Sequence, residues 1–514
     1  MGATTAMMLA MALPLLASVL VMAIGDRSPN ARDGSMVLIA AVTFSLVAGL
    51  VKVVTGGGAP GFEVVELLPG ITLAFEIEPL GLLFALVASG LWILTTIYAV
   101  GYMRGHAEEN QTRFFTCFGL AIFGALGVAW ARNMFTLFIF YEFLTLSTYP
   151  LVTHSGTAEA KRSGRIYLGI LFTTSVGLLL FGTVWVHQIA GTTEFTPGGV
   201  LAGPLAAGRF DEALLPVLVG LFMFGTGKAA LMPFHRWLPN AMVAPTPVSA
   251  LLHAVAVVKA GVFTILKVVT YLFGIDLLAK TGASIWVAYA AAFTILASSV
   301  VALQLDNLKA RLAYSTISQL SYIILGACTA TAMGVIGGGM HIAMHAMGKI
   351  TLFFCAGAIM VGAHKKNISE MDGLGRQMPV TMFAFFIGSV CIIGLPPMGG
   401  SWSKWYLALG AAEAHQLPLV ATLMASSLFS IGYLMPVVAR AFFMAPADDH
   451  HGDHHGEHHD DHGHDEHHGD VHKLPFDLAP TACLLPLSLT AVGCIALFFY
   501  AEDIFALLSP IVNT

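Results

Sequence analysis

The chain has 514 residues, of which 57% are hydrophobic and only 11% charged, and its mean hydropathy is +0.79. A soluble globular domain carries about 25% charged residues, so composition excludes one. Allowing about 20 apolar residues per bilayer crossing plus short loops gives roughly fourteen crossings, and an all-α membrane protein is expected.

The formal net charge of −6 comes from one segment. Residues 448–472 hold eleven His, seven Asp, two Glu, four Gly and one Val; without their acids the body has 24 Lys+Arg against 21 Asp+Glu, a charge of +3. That is no basic nucleic-acid footprint, so nucleic acid is excluded as a partner. Cys117, Cys328, Cys355, Cys391, Cys483 and Cys494 lie in apolar stretches without a C-x-x-C pair. Iron–sulfur, zinc-ribbon and disulfide readings therefore fail, and no cofactor is expected.

In chain order, the apolar run from Ala6 to Ala23 has no basic flank and is too long for a signal-peptide core, so it reads as the first permanent span. The predicted spans are 5–23, 36–54, 79–101, 115–131, 133–153, 165–189, 214–232, 246–271, 285–304, 311–330, 335–363, 380–410, 418–443 and 478–508. Gly56–Gly58 read as a flexible loop. The runs are continuous rather than alternating, which excludes a β-barrel. Fifteen loop Lys/Arg fall on one face and five on the other, Lys267 among the five. Positive charge marks the cytoplasm, so both termini should lie outside and the His-rich loop inside. The setting expected is a bacterial inner membrane.

Four lysines fall within spans: Lys228, Lys259, Lys349 and Lys404, joined by Glu142 in NMFTLFIFYEFLTL. A mid-bilayer lysine costs at least ~2.5–3.5 kcal/mol on insertion scales. Snorkelling or a structural ion pair explains one position, most readily Lys404, but not four in separate spans. The functional reading is a line of protonatable groups facing the bundle interior. Lys228 and Lys404 also sit beside helix breakers, in FGTGKAALMPFHRWLP and IIGLPPMGGSWSKWYL. Helices 7 and 12 are thus predicted to be broken, as interrupted spans in two halves of a transporter are. His341, His345 and Lys349 recur at i, i+4 and i+8 on one stripe. His253 shares a span with Lys259 but lies about 120° away in azimuth, and His235 follows the Pro233 break. A His pair at i, i+4 can also ligate haem or metal, but no further ligand set presents itself. GTGK lacks the phosphate-loop spacing.

The segment 448–472 cannot bury an apolar core and is expected to be disordered. Its imidazoles, including His450, His451, His454, His455, His458 and His459, can bind zinc, nickel or copper weakly, or merely solvate a long connection.

The stretch from Lys228 to Phe263, KAALMPFHRWLPNAMVAPTPVSALLHAVAVVKAGVF, resembles the signature of the antiporter-like subunits L, M and N of respiratory complex I. Those subunits share it with Mrp-type cation/proton antiporters and membrane-bound hydrogenases. Glu142, HIAMHAMGKITLFF around Lys349 and GLPPMGGSWSKW around Lys404 match further hallmarks, over about residues 75 to 440. The resemblance implies fourteen helices with two inverted five-helix repeats. The expected organisation is 1–110 for helices 1–3, 111–275 and 276–445 for the repeats, 446–474 for the His/Asp loop and 475–514 for the last helix. It further implies that Glu142 pairs with Lys228, that Lys259 is central, that His253, His345 and Lys349 bridge through water, and that Lys404 gates the outward half-channel.

The implied function is proton translocation within a multisubunit complex along Glu142, Lys228, His253, Lys259, His341, His345, Lys349 and Lys404. Sodium/proton exchange and the energising of inorganic-carbon uptake stay open as alternatives. The chain would act with other membrane subunits and with either redox subunits or a soluble zinc protein. No catalytic redox site of its own is expected. It departs from subunit L in lacking a long lateral helix, and from subunit M in having Lys404 where that subunit typically has glutamate.

Overall fold

The computed structural model describes residues 2–251, 256–445, 473–474 and 477–512. His253, the segment 448–472 and the candidate ligands His450, His451, His454, His455, His458 and His459 lie outside the described residues. The chain is 79% helical. Its principal helices are α1 (Ala3–Ile24), α2 (Pro29–Gly49), α3 (Pro79–Gly105), α4 (Gln111–Ala129), α5 (Met134–Val152) and α6 (Ala158–Thr174), which runs on through a wide turn to Ala190. They continue with α7 (Leu215–Gly225), α8 (Val257–Val268), α9 (Ile285–Gln304), α10 (Leu308–Cys328) and α11 (Ala332–Ala363). The last are α12 (Pro379–Ile393), α13 (Gly400–Glu413), α14 (Leu417–Phe443), α15 (Thr481–Phe499) and α16 (Ala501–Leu508).

Among the described residues ten helices are long and apolar enough to cross a membrane: α1 to α6, α9, α11, α14 and α15. The predicted spans at 214–232, 246–271, 311–330 and 380–410 fall short of that measure, each for a physical reason. The first and last are interrupted, between Gly225 and Trp237 and between Ile393 and Gly400. The second continues beyond α8 to Phe273 and then bends by 82° into Ile275–Thr281. The third is an unbroken helix, α10, but Lys309, Arg311 and a series of hydroxyl side chains dilute its apolar character.

Local chemistry sets the helix starts. The Glu78 carboxylate accepts from the backbone N–H groups of Leu80 and Gly81 ahead of α3, with Pro79 pre-setting the first turn. Asn133, Thr157, Asn307 and Thr331 cap α5, α6, α10 and α11 through their side-chain oxygens. The 32-residue α11 is the spine of the second half, packed against α3, α10, α12, α13 and α15. At 1.5 Å per residue it spans about 48 Å.

The sequence reading gave no strand to residues 55–78, yet β1 (Gly61–Leu68) pairs antiparallel with β2 (Ile71–Glu76). The hairpin is fastened to the α4–α5 turn, where Glu76 N–H donates to the Trp130 carbonyl and Arg132 N–H to that of Ala74. Lys267, counted above among loop residues, is in α8 and only 1% exposed.

Candidate functional site

Lys228 sits where α7 stops. Thr226 leaves helical geometry, Gly227–Ala229 form one tight turn, and Ala230 is left-handed at φ +56. The Gly227 carbonyl closes this turn by accepting the Ala230 N–H at 3.0 Å and also accepts the Trp237 indole N–H at 2.9 Å. The Lys228 ammonium then reaches across to α5, donating to the Tyr141 carbonyl at 2.8 Å and the Thr145 hydroxyl at 2.6 Å. It also lies over the Tyr141 ring, 3.2 Å from its centroid. The helix α8 passes this turn so closely that a Cβ on Gly261 would collide with the Lys228–Ala229 backbone.

Glu142 follows Tyr141 on α5, and both its carboxylate oxygens are buried without a hydrogen bond among the described residues. The direct Glu142–Lys228 pair implied by the resemblance is not the contact observed. Its charge bears on Lys228, but Tyr141 and Thr145 hold the ammonium, because neighbouring residues on a helix point about 100° apart.

In the centre, fully buried Lys259 on α8 meets His345 of α11, Nζ against Nδ1. His345 stacks on His341 one turn away, with ring centroids 5.6 Å apart. His341 Nδ1 contacts the Ser403 hydroxyl at 2.9 Å, and its ring also stacks on Tyr322. The Nδ1 atoms thus address Lys259 and Ser403, while the two rings meet by stacking, so a proton crossing from one imidazole to the other needs a bridging water. Each imidazole can accept on one nitrogen and donate from the other.

Lys404 lies in α13, just beyond the second break. It is half-buried, donating to the Ile393 carbonyl at 3.0 Å and to Ser427 at 3.1 Å, with its ammonium 4.9 Å from the Tyr322 ring centroid. It points into the bundle, not along the surface as snorkelling requires. Gly394, at φ +89, permits this packing, since a Cβ there would meet the lysine chain. Lys349 is fully buried but turns to the Leu312 carbonyl of α10 at 3.3 Å. The structure therefore brings Lys259, His345, His341 and Lys404 into one connected region and leaves Lys349 beside it.

The sequence reading missed a buried lysine–carboxylate pair. Lys267, two turns along α8 from Lys259, lies 3.4 Å from Glu78 and donates to the Ala131 carbonyl at 2.8 Å. Tyr271 donates to the same carboxylate at 3.2 Å. The pair lines a cavity of about 220 Å³ together with Glu76 and Arg132. The i, i+8 spacing of two lysines on one helix was the available signal.

Residues 131–430 match the family profile described as NADH:quinone oxidoreductase/Mrp antiporter, TM. Residues 69–115 match the N-terminal region of complex I chain 5. A subunit N of NADH-quinone oxidoreductase from Desulforudis audaxviator is 31% identical over 376 residues, covering 73% of each chain. A probable K(+)/H(+) antiporter subunit from Rhizobium meliloti is 33% identical over 80% of this chain, which spans 41% of that longer relative. In fold, the chain superposes on a subunit of the Mrp complex from Dietzia with a TM-score of 0.83 at 21% identity, covering 100% of this chain and 97% of that one. A chain of an archaeal membrane-bound sulfane sulfur reductase gives 0.82 at 23% identity, covering 99% and 98%. With the profile spanning more than half the sequence, the chain belongs to the NADH:quinone oxidoreductase/Mrp antiporter family and is an antiporter-like integral membrane protein.

Proposed function

We propose that the chain is a proton-translocating subunit of a multisubunit membrane complex. Protons would move along Glu142, Lys228, Lys259, His345, His341 and Lys404, with His253 and Lys349 as side members. The observation that carries this reading is the contact line Lys259–His345–His341–Ser403, set between two interrupted helices. A proton passing from Lys259 to His345 moves a unit charge between α8 and α11. At an effective dielectric near 20, unit charges 4 Å apart interact by about 4 kcal/mol. Neighbouring sites on such a line therefore cannot change charge independently, which gives long-range coupling a physical basis.

The architecture that accompanies this reading has fourteen spans, with α12 and α13 as one interrupted span. Residues 111–275 and 276–445 form two inverted five-helix repeats. Both termini face outward and the His/Asp segment faces the cytoplasm, following the basic-residue count. Its partners are other membrane subunits, in a complex of the kind that the relatives' names describe. A second reading, cation/proton exchange with K⁺ or Na⁺, is favoured by the 33% identity to a K(+)/H(+) antiporter component.

The test is proton flux in native membrane vesicles. Glu142→Gln and Lys228→Ala should each abolish coupled transport while the chain still assembles; normal transport by both sinks the proposal. Flux that responds to K⁺ or Na⁺ pulses without any respiratory substrate selects the exchange reading.

A further inference from the structure

A second polar track runs through the interface of α9, α10 and α14. On α10, Arg311, Ser315, Ser318 and Tyr322 recur at steps of four, three and four residues, which puts them on one face. On α14, Ser426, Ser430 and Tyr433 recur at four and three. These hydroxyls meet in two layers. Ser299, Ser318 and Ser426 form a triangle with oxygens 3.1 to 3.2 Å apart. Next to it, Tyr433 hydrogen-bonds both Ser315 and Ser430 at 2.9 Å. All six side chains are fully buried.

The track has two ends. At one, Tyr322 lies beside both Ser426 and Ser427, and Ser427 accepts from the Lys404 ammonium, which stands over the Tyr322 ring. At the other, Arg311 donates to the carbonyls of Tyr433 and Leu305 and is 8% exposed, with the acid Asp306 bearing on it at the surface. One helical turn, about 5.4 Å, separates the two layers, a gap that a single water spans. An independent sign of hydration comes from Gln319. It is fully buried beside Tyr322, and neither amide atom makes a hydrogen bond of good geometry among the described residues. A buried amide in this position calls for water partners.

Hydroxyl groups both donate and accept, so a file of them can take a proton at one end and release another at the far end, each hydroxyl ending unchanged. We propose that this stripe is a second proton-access route, joining the Arg311 end of the α9–α10–α14 interface to Lys404. The proton comes from bulk water, crosses the two hydroxyl layers, and converts the neutral Lys404 amine to an ammonium. The inference rests on the proton-translocating reading and deepens it, since it supplies Lys404 independently of the Lys259–His345 line.

The experiment uses membrane vesicles holding the full assembly, with flux followed by a ΔpH-sensitive dye and assembly checked on native gels. Ser426→Ala combined with Tyr433→Phe removes two hydroxyls at nearly constant volume and should lower flux about tenfold or more. Ser426→Thr keeps a hydroxyl and should retain most of it. Flux comparable to wild type in the double variant overturns the route. Loss in Ser426→Thr as severe as in the double variant assigns the stripe to packing and overturns it too. If the double variant fails to assemble, Tyr433→Phe alone is read the same way. Lys404→Ala separates the two proposals. Its loss of flux beside normal hydroxyl variants discards the stripe and keeps the main axis, whereas normal flux in Lys404→Ala discards both.

Discussion

The two helix breaks put a lysine in the bundle by different means. At the second break, Lys404 donates to Ile393, the last residue of α12, so the ammonium caps the negative end of the helix that precedes its own. At the first, the Gly227 carbonyl is occupied by the Ala230 N–H and the Trp237 indole, and Lys228 finds its acceptors on α5. Lys404 is half-buried, and among the described residues no carboxylate bears on it; Lys228 is wholly buried with Glu142 beside it. One lysine is held by the end of the helix just before it, the other by the backbone and hydroxyl of α5. Lys228 is therefore tied to α5, while Lys404 is tied to the end of α12 and to Ser427 of α14.

Arginine substitutions break this comparison most sharply. A guanidinium stays protonated and carries a planar fork that needs more room than an ammonium. Lys228→Arg should lose proton flux by about tenfold or more and also lower thermal stability, since the ammonium sits closed in by Tyr141 and Thr145. Lys404→Arg should lose flux by a similar factor with stability near that of wild type, because its site is partly open. Normal flux in Lys404→Arg would show that this site need not release its proton, leaving only the first break in the pathway.

The Lys267–Glu78 pair sharpens the contrast from the C-terminal end of α8. Among the described residues it is the buried lysine with a direct carboxylate partner, and that carboxylate also caps α3. Glu78→Ala removes the partner and the cap together and should cost about 3–5 kcal/mol, the range for breaking a buried ion pair. Lys267→Met keeps the cap and replaces the amine stem with a similar apolar volume, so it should cost less. Thermal unfolding in detergent measures both, and equal losses would show that the pair itself, not the cap, dominates.

Which of these features could be read from sequence follows from their range. The long apolar helices are local patterns, and so are the two breaks, since Pro233 and the Pro396–Gly400 run are visible in the chain. The four intramembrane lysines stood out because hydrocarbon penalises them. Which acceptor each lysine finds is set by helix packing: spacing could not show that Lys349 turns to Leu312, or that Lys228 meets Tyr141 rather than the Glu142 carboxylate. Lys267 was misread because it lies near the end of an apolar run, where a snorkelling loop lysine looks the same. The β1–β2 hairpin was missed because its fastening is to the distant α4–α5 turn, not within itself. The hydroxyl stripe was present at helical spacing on α10 and α14, but only their juxtaposition gives it meaning.

The smallest effect concerns the loop that holds the Arg311 end of the stripe in place. Asp306 accepts from the Ser369 amide at 3.0 Å and from its hydroxyl at 2.6 Å, tying the α9–α10 connection to residues 366–370. These hydrogen bonds, chiefly that from the Ser369 hydroxyl, hold the carboxyl below its ordinary value of 3.8. A carboxylate lowered on folding stabilises the fold above its unfolded value, and that contribution disappears as pH falls through the folded one. Because Asp306 is exposed, solvent screening limits the gain to about 0.5 kcal/mol. Asp306→Asn should therefore speed amide exchange at Ser369 near neutral pH, and the difference from wild type should close once the pH is well below the ordinary carboxylate range. A difference that persists unchanged into strong acid would mean that the carboxylate charge does not hold this loop, and that the Arg311 end of the stripe is anchored by its own carbonyl contacts alone.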